Sequence, residues 1–222
     1  MEKIDICNNA LNLVGQGLHI ESLNENTKEA DSCNRLIGPC IERCLDKYDW
    51  SFALKNEVIT SSFYLSDAVN PPFAYTYSLP SDFRRVNELH AVGDDNGYAR
   101  KVTPKEHIPY RLYNYNNKIV ICTNQQAPFI LQYQANVKDL TLFSASFLEA
   151  VEYLMAGYLI SDLQKGVMAE NQSIKLIQLA YQALKIAHDN DTYIGVEWTE
   201  EPKEQRNMTF LNARGFRGDY GY

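Results

Sequence analysis

Five cysteines, four histidines and a scatter of carboxylates are the residues with which this chain could do chemistry. Cys40 and Cys44 stand one helical turn apart, a spacing that can present two thiolates to a soft metal. No His and no second Cys pair stands near them at ligand spacing, and free Cys is commonly buried as a small hydrophobe, so no metal is expected. No His-x-x-x-His or Ser/His/Asp pattern links His19, His90, His107 and His188. His188 continues an apolar stripe and reads as a satisfied core or interface side chain. Glu149 and Glu152 are close on a predicted helix, as are Asp46 and Asp49. Paired acid/base work needs two carboxylates across a cleft, and both pairs read as solvated faces. Gly15-Gln16-Gly17 is too short for a nucleotide loop and no helix start follows it. The residues predict no enzyme, no metal and no cofactor.

The elements that would position any site are organised around Asn26 to Ala53. Ala30, Cys33, Ile37, Cys40, Ile41, Cys44 and Tyr48 fall in an arc about 100° wide, which predicts one long helix running into Asp49-Trp50-Ser51-Phe52-Ala53. Asn26 and Glu29 resemble a capping box. Gly38-Pro39 sits mid-pattern without shifting its phase, so the expectation is a kinked helix rather than two. Trp50 and Phe52 are expected core anchors at the helix exit. Before this helix, Ile4, Cys7, Leu11 and Val14 predict a first helix from Glu2 to Val14, closed by the glycines that follow. Ile20 and Leu23 anchor the connector.

After Ala53 the pattern changes to strands. These are expected over Glu57 to Phe63, Ala74 to Leu79, Arg85 to Val92, Tyr98 to Val102, Lys118 to Thr123 and Phe129 to Ala135. Asp94-Asp95-Asn96-Gly97 reads as a hairpin turn, and Thr103-Pro104 as the start of a short helix. Leu79-Pro80-Ser81-Asp82-Phe83 reads as a turn, with Leu79 and Pro80 as further anchors and Ser81 or Asp82 capping a short helical turn. Val86, Leu89 (or His90) and Val92 are the inward candidates of their strand.

Helices return over about 144–165 and 168–190. On the last one, Lys175, Gln178, Gln182, Lys185 and Asp189 make a polar arc only about 80° wide, with apolar residues on both sides of it. Such a helix is either the centre of a bundle or is covered on one side by another subunit, and the central position is the simpler expectation. The expected fold is therefore α+β. Helices in 1–53 and 138–192 form a mainly antiparallel bundle, an antiparallel β-unit is inserted at 54–137, and an extended arm covers 193–222.

Net charge of −7 argues against a general nucleic-acid binder, whose affinity comes from clustered Lys and Arg. It would suit a protein that encloses DNA without gripping it. No run of about 18 apolar residues exists, so no membrane span is expected. An odd cysteine count, with three on one stripe, predicts reduced buried thiols in a cytoplasm-made protein. Fifteen tyrosines fit either β-structure or interfaces, since the ring pairs an apolar body with a polar tip. The stretch Met208 to Tyr222 has too few apolar residues to bury a core of its own. Its aromatic and arginine content is that of a segment that docks on a partner.

Four stretches in order resemble the head-to-tail adaptor family of tailed bacteriophages, known in short-tailed phages as tail tubular protein A. The first is Ile6-Cys7-Asn8-Asn9-Ala10-Leu11-Asn12-Leu13-Val14-Gly15 followed by Ile20-Glu21-Ser22-Leu23. The second, and most characteristic, is Tyr48-Asp49-Trp50-Ser51-Phe52-Ala53. The third is Tyr77-Ser78-Leu79-Pro80-Ser81-Asp82-Phe83-Arg84-Arg85-Val86. The late helices and the aromatic, Arg- and Gly-bearing C-terminus complete the set. Gly38-Pro39 and the high Cys and Tyr content depart from the family pattern. The resemblance implies a structural virion protein at the phage neck, assembled in the host cytoplasm. It implies a homo-oligomeric ring, usually of about twelve copies, between the portal protein and the tail nozzle, in some phages bearing fibres, with genomic DNA passing through its channel. The C-terminal segment would dock on the portal, and Phe210, Arg214, Phe216, Arg217 and Tyr220 are the candidates. The alternative from a different class is a tail-associated enzyme that degrades cell wall.

Overall fold

Apolar spacing becomes packing first at the N-terminus. In the computed structural model, which describes residues 2–15, 17–63, 73–92 and 108–194, helix α1 spans Lys3–Val14 and buries Ile6, Cys7, Ala10, Leu11 and Val14. The Asp5 carboxylate accepts the Glu2 backbone N–H at 2.7 Å, satisfying one orphan donor of the first turn. Gly15, at φ +93°, ends the helix in a conformation that side-chain-bearing residues avoid. Asn8 then holds the connector, accepting from Ile20 N–H at 2.9 Å and donating to Ile20 C=O at 3.0 Å, so that Ile20 is buried.

Helix α2 spans Lys28–Lys47 and buries the predicted stripe from Ala30 to Cys44, with Ser32 and Leu45 added, while Tyr48 lies beyond its end and is half-buried. Two expectations about its ends are corrected. The cap is Thr27, whose hydroxyl accepts Ala30 N–H, and not Asn26. The helix stops at Lys47, because Tyr48 is extended and the following residues turn inward to bury Trp50. Only a short 3₁₀ turn, Ser51–Ala53, follows. Pro39 lies inside α2, which continues through it as one helix; Gly38 and Pro39 both face outward.

Six antiparallel strands follow among the described residues. They are β1 (Leu54–Ile59), β2 (Tyr75–Ser78), β3 (Phe83–Ala91), β4 (Tyr110–Tyr115), β5 (Lys118–Thr123) and β6 (Phe129–Ala135). They form two sheets, ordered β1-β6-β3 and β2-β5-β4. Ile59, Leu89, Phe129 and Leu131 of the first sheet and Tyr77 and Ile121 of the second share one core, with Tyr77 edge-on to Phe129 at 4.9 Å. Strand β4 has no counterpart among the sequence expectations. It joins β5 through Asn116-Asn117, both at positive φ, the twist that a two-residue hairpin turn needs. The expected turn at Leu79–Phe83 forms, with Phe83 N–H donating to Pro80 C=O at 3.1 Å, but no helical turn follows Ser81 or Asp82, because β3 begins at Phe83 and the Asp82 carboxylate is used by Lys55 and Tyr133. Val92 is exposed, whereas Leu89 is buried. The break at Asn70-Pro71-Pro72, the hairpin Asp94–Gly97, its return strand and the helix at Thr103 lie outside the described residues, as does the expected arm 193–222 except for its first two residues, which continue the last helix and correct the arm's start.

Helix α3 (Ala145–Leu163) is capped by Ser144, which accepts Phe147 N–H at 3.2 Å. It is apolar all round and packs against α1, α2 and α4 (Val167–Ile194). The central helix is therefore α3, which corrects the expectation for α4. The close approach of α3 and α4 depends on Gly157. The Ser173 hydroxyl donates to Gly157 C=O at 2.7 Å. In the last turn of α3, the Asp162 carboxylate accepts from Ser32 and from Arg35, the latter at 2.6 Å, tying α3 to the first turns of α2.

Two glycine substitutions are expected to act with opposite signs. A Cβ on Gly157 would stand 2.7 Å from Ile177 Cγ1 and 3.2 Å from Ser173 O. Gly157→Val is expected to lower stability by about 1–3 kcal/mol through overpacking. Gly38 meets nothing within 4 Å, so Gly38→Ala is expected to raise stability by about 0.5–1 kcal/mol through helix propensity. Urea unfolding of the two variants measures both.

Candidate functional site

The turn after α2 fixes the geometry of the surface described below. Trp50 is fully buried. Its indole N–H donates to Cys44 C=O at 3.1 Å, and its backbone N–H to the Gln134 side-chain oxygen of β6 at 3.3 Å. The indole stacks on Phe52 at 5.4 Å and meets Phe147 of α3 edge-on at 4.9 Å. It also meets His188 of α4 at 5.7 Å. Ser51 donates from both its N–H and its hydroxyl to the buried Asp191 carboxylate of α4, each at 2.6 Å. His188 stacks on Tyr48 at 4.4 Å, and its buried Nδ1 has no hydrogen-bond partner among the described residues.

Arg84 and Arg85 complete the joint from β3. Arg84 pairs with Asp46 at 2.7 Å and donates to Glu42 C=O at 2.8 Å. Arg85 donates to Asp46 C=O at 3.3 Å and pairs with Asp49. Cations at a helix C-terminus satisfy its orphan carbonyls and oppose the negative end of its dipole. The Arg84 hydrogen bond is the main reason that the Asp46 carboxyl titrates below its usual range.

Held in this way, α4 buries one face against α3, through Ala169, Ser173, Leu176, Ala180, Leu184 and Ala187. The polar arc of Lys175, Gln178, Gln182 and Lys185 faces outward. On one side of the arc, Val167, Ile174 and Tyr181 recur every seven residues and are exposed. On the other side Met168, Leu179 and Ile186 are exposed, Met168 by 88% and Ile186 by 60%. Lys47 of α2 stands 5.4 Å from the Tyr181 ring, and Arg43 of α2 stands 5.0 Å from the Tyr158 ring of α3. Apolar residues scattered singly are ordinary on a protein surface. Two aligned stripes along a single 28-residue helix are the pattern of an interaction surface.

Polar chemistry is concentrated in two clefts. In one, of about 540 Å³, Asn9 donates to Glu152 at 2.7 Å, and burial pushes the Glu152 carboxyl up. Glu152 is thus half-buried, correcting its reading as part of a solvated face. Glu149 and Glu152 nonetheless rise from one helix three residues apart, so both stand on the same wall of the cleft. In the other, of about 520 Å³, the Asp82 carboxylate accepts from Lys55 at 2.6 Å and from the Tyr133 hydroxyl at 2.9 Å. The Lys55 hydrogen bond holds Asp82 below its usual range, while burial and then Asp82 itself push Tyr133 up. Among the described residues no group of three or more His, Cys, Asp or Glu side chains could hold a metal ion. Among the described residues, too, no helix is long and apolar enough to cross a membrane.

Of the residues singled out from the sequence, Trp50 and Phe52 are brought together in the joint, Trp50 fully buried and Phe52 half-buried. Leu79 and Pro80 are half-buried and line a cleft of about 650 Å³ between the ends of the two sheets. Phe210, Arg214, Phe216, Arg217 and Tyr220 lie outside the described residues. Asp191, Arg84 and Arg85 were not singled out, and an isolated charge carries no local signal of a partner distant in the chain. The chain is an α+β protein with an apolar helix surface held rigidly in place. It matches no family model and no curated protein.

Acid should destabilise the fold through Asp46, Asp82 and Asp162, all held below the ordinary value of 3.8. Each keeps its charge to lower pH folded than unfolded. Its stabilisation is therefore present above that value and lost as pH falls through the folded values. Urea midpoints should stay flat down to about pH 5 and fall below about pH 4, less steeply in Asp162→Asn. Glu152 acts in the opposite sense, since its ionised form is disfavoured in the fold. Glu152→Gln should raise the midpoint at pH 7 and leave it unchanged at pH 3.

Proposed function

We propose that this chain is a structural virion protein, a head-to-tail adaptor that forms a ring between the portal and the tail nozzle of a tailed phage. The observation that carries the reading is α4. Its two apolar stripes are exposed in the single chain while its last turn is clamped to Ser51 and Trp50. A rigid, apolar helix surface of this kind is what a permanent subunit contact requires. The resemblance of the Tyr48–Ala53 and Tyr77–Val86 stretches to the adaptor family supports the same reading. Those two stretches carry Trp50, Ser51, Arg84 and Arg85, the residues of the joint.

In this reading the four helices act as one bundle that meets its neighbours around the ring. The residues that follow α4 form an arm that docks on the portal through Phe210, Arg214, Phe216, Arg217 and Tyr220. The net charge of −7 lets DNA move through the channel without being gripped. The chain is then a scaffold and has no catalytic duty.

Negative-stain imaging of the protein mixed with the portal ring from the same genome tests the proposal. Multi-copy density capping one end of the portal is the expected result. A monomer that leaves the portal bare would overturn it, and wall hydrolysis would be assayed next. Leu179→Lys and Ile186→Lys, both at exposed positions, should change stability by less than about 0.5 kcal/mol yet abolish ring formation in light scattering. A chain ending at Val196 should fold and fail to join portals.

A further inference from the structure

One stripe of α4 and the cleft between α1 and α3 are complementary in charge, and both are apolar around their charges. Met168, Lys175 and Gln182 recur every seven residues, and with Leu179 and Ile186 they share an arc about 60° wide. Lys175 stands in this stripe between Met168 and Leu179, is exposed, and has no ion-pair partner among the described residues. From residue 171 to residue 188 the helix carries Lys175 and Lys185 and no carboxylate. The stripe is therefore a cation set among exposed apolar side chains.

The cleft of about 540 Å³ has the opposite charge. Glu149 and Glu152 stand on its α3 wall and Asn9 on its α1 wall, and no cation lines it. Asn9 bonds one oxygen of Glu152 at 2.7 Å, and among the described residues no cation pairs with either carboxylate. Burial, and to a smaller extent the Glu149 charge, push the Glu152 carboxyl up, so a cation brought to the cleft would oppose both effects. The rim is apolar. Leu142, exposed by 54%, stands between the lining residues Thr141 and Phe143, and the exposed Leu13 stands one turn on from Asn9.

We propose that the α4 stripe of one copy seats in the α1–α3 cleft of the next copy, with Lys175 against Glu149 and Glu152 and with Met168, Leu179 and Ile186 against the apolar rim. The occupant is a second copy because the chain carries both halves of the match. Helices α1 and α4 both pack on α3 and make no more than marginal contact with each other, so the cleft and the stripe belong to different faces of the bundle. A contact between two different faces is heterologous. It passes from copy to copy and closes when the rotation between copies completes a ring. This inference rests on the adaptor reading and names the surfaces through which neighbours in the ring would meet.

The test exchanges the charges. The stripe variant is Lys175→Glu, and the cleft variant is Glu149→Lys combined with Glu152→Gln, which keeps the acceptor for Asn9. Negative-stain imaging at low salt scores the protein concentration at which half of the portal rings are capped. Each variant alone should need at least about tenfold more protein than the wild type, because like charges then meet at every contact. A chain carrying all three substitutions should cap portals near the wild-type concentration. A one-to-one mixture of the two variants should do the same, since each supplies the charge that the other lacks. Rescue between separate chains belongs to a contact between chains and not to folding. If the wild type caps portals and both variants do so equally well, the adaptor reading stands and this contact is overturned. If the variants fail and neither the combined chain nor the mixture recovers, the stripe and the cleft do not meet each other, and the proposal is again overturned. A wild-type chain that leaves the portal bare overturns the adaptor reading and this contact with it.

Discussion

A tryptophan at the exit of a helix sets the relation between the helices and the sheets. Trp50 reaches α2 through its indole N–H, α3 through Phe147, α4 through His188 and β6 through Gln134. An indole buried in this way has to donate its N–H, and the acceptor it finds is a carbonyl in the last turn of α2. One side chain therefore closes a helix end, fills the aromatic cluster and sets where the first strand begins. Arg84 and Arg85 secure the same helix end from the sheet side, and Asp191 secures the turn from the far end of the chain.

This joint explains why α4 is held so firmly while so much of it is uncovered. Helix α3 takes the centre because small residues let its neighbours approach; Gly157 admits Ile177 and the Ser173 hydroxyl. With α1 and α2 on its other sides, α3 is the main helix against which α4 packs, and the last turns of α4 also meet Tyr48, Trp50 and Ser51. Leu179, Ile186 and Met168 stay exposed among the described residues. In the adaptor reading these positions are covered by the next subunit, and folding of the monomer prepares the surface on which the ring closes.

The sheets have a different character. Their shared core is aromatic and aliphatic, but polar links tie the connections that pass between the sheets, Tyr133 to Asp82 between β2 and β3 and Tyr77 to Gln125 C=O between β5 and β6. The tyrosines described here thus serve both roles that their chemistry allows. Tyr77 and Tyr133 are core rings with anchored hydroxyls, while Tyr181 lies exposed on α4.

Periodicity in the sequence determined the four helices, five of the six described strands and the α+β class. Burial of an apolar stripe is a local property, readable wherever spacing repeats at 3.6 or 2 residues. The excess of apolar surface on α4 was legible for the same reason. Which helix would be central was not, because that depends on how closely backbones approach, and the signal for it, Gly157 against Ser173, is split between two helices. Strand β4 escaped because Leu112 and Tyr113 stand side by side and break the expected alternation, although the Asn-Asn turn beside it was a signal. The end of α2 at Lys47 and the half-burial of Glu152 were decided only by tertiary structure. Each depends on a partner far away in the chain, and local pattern carries no information about distance in space.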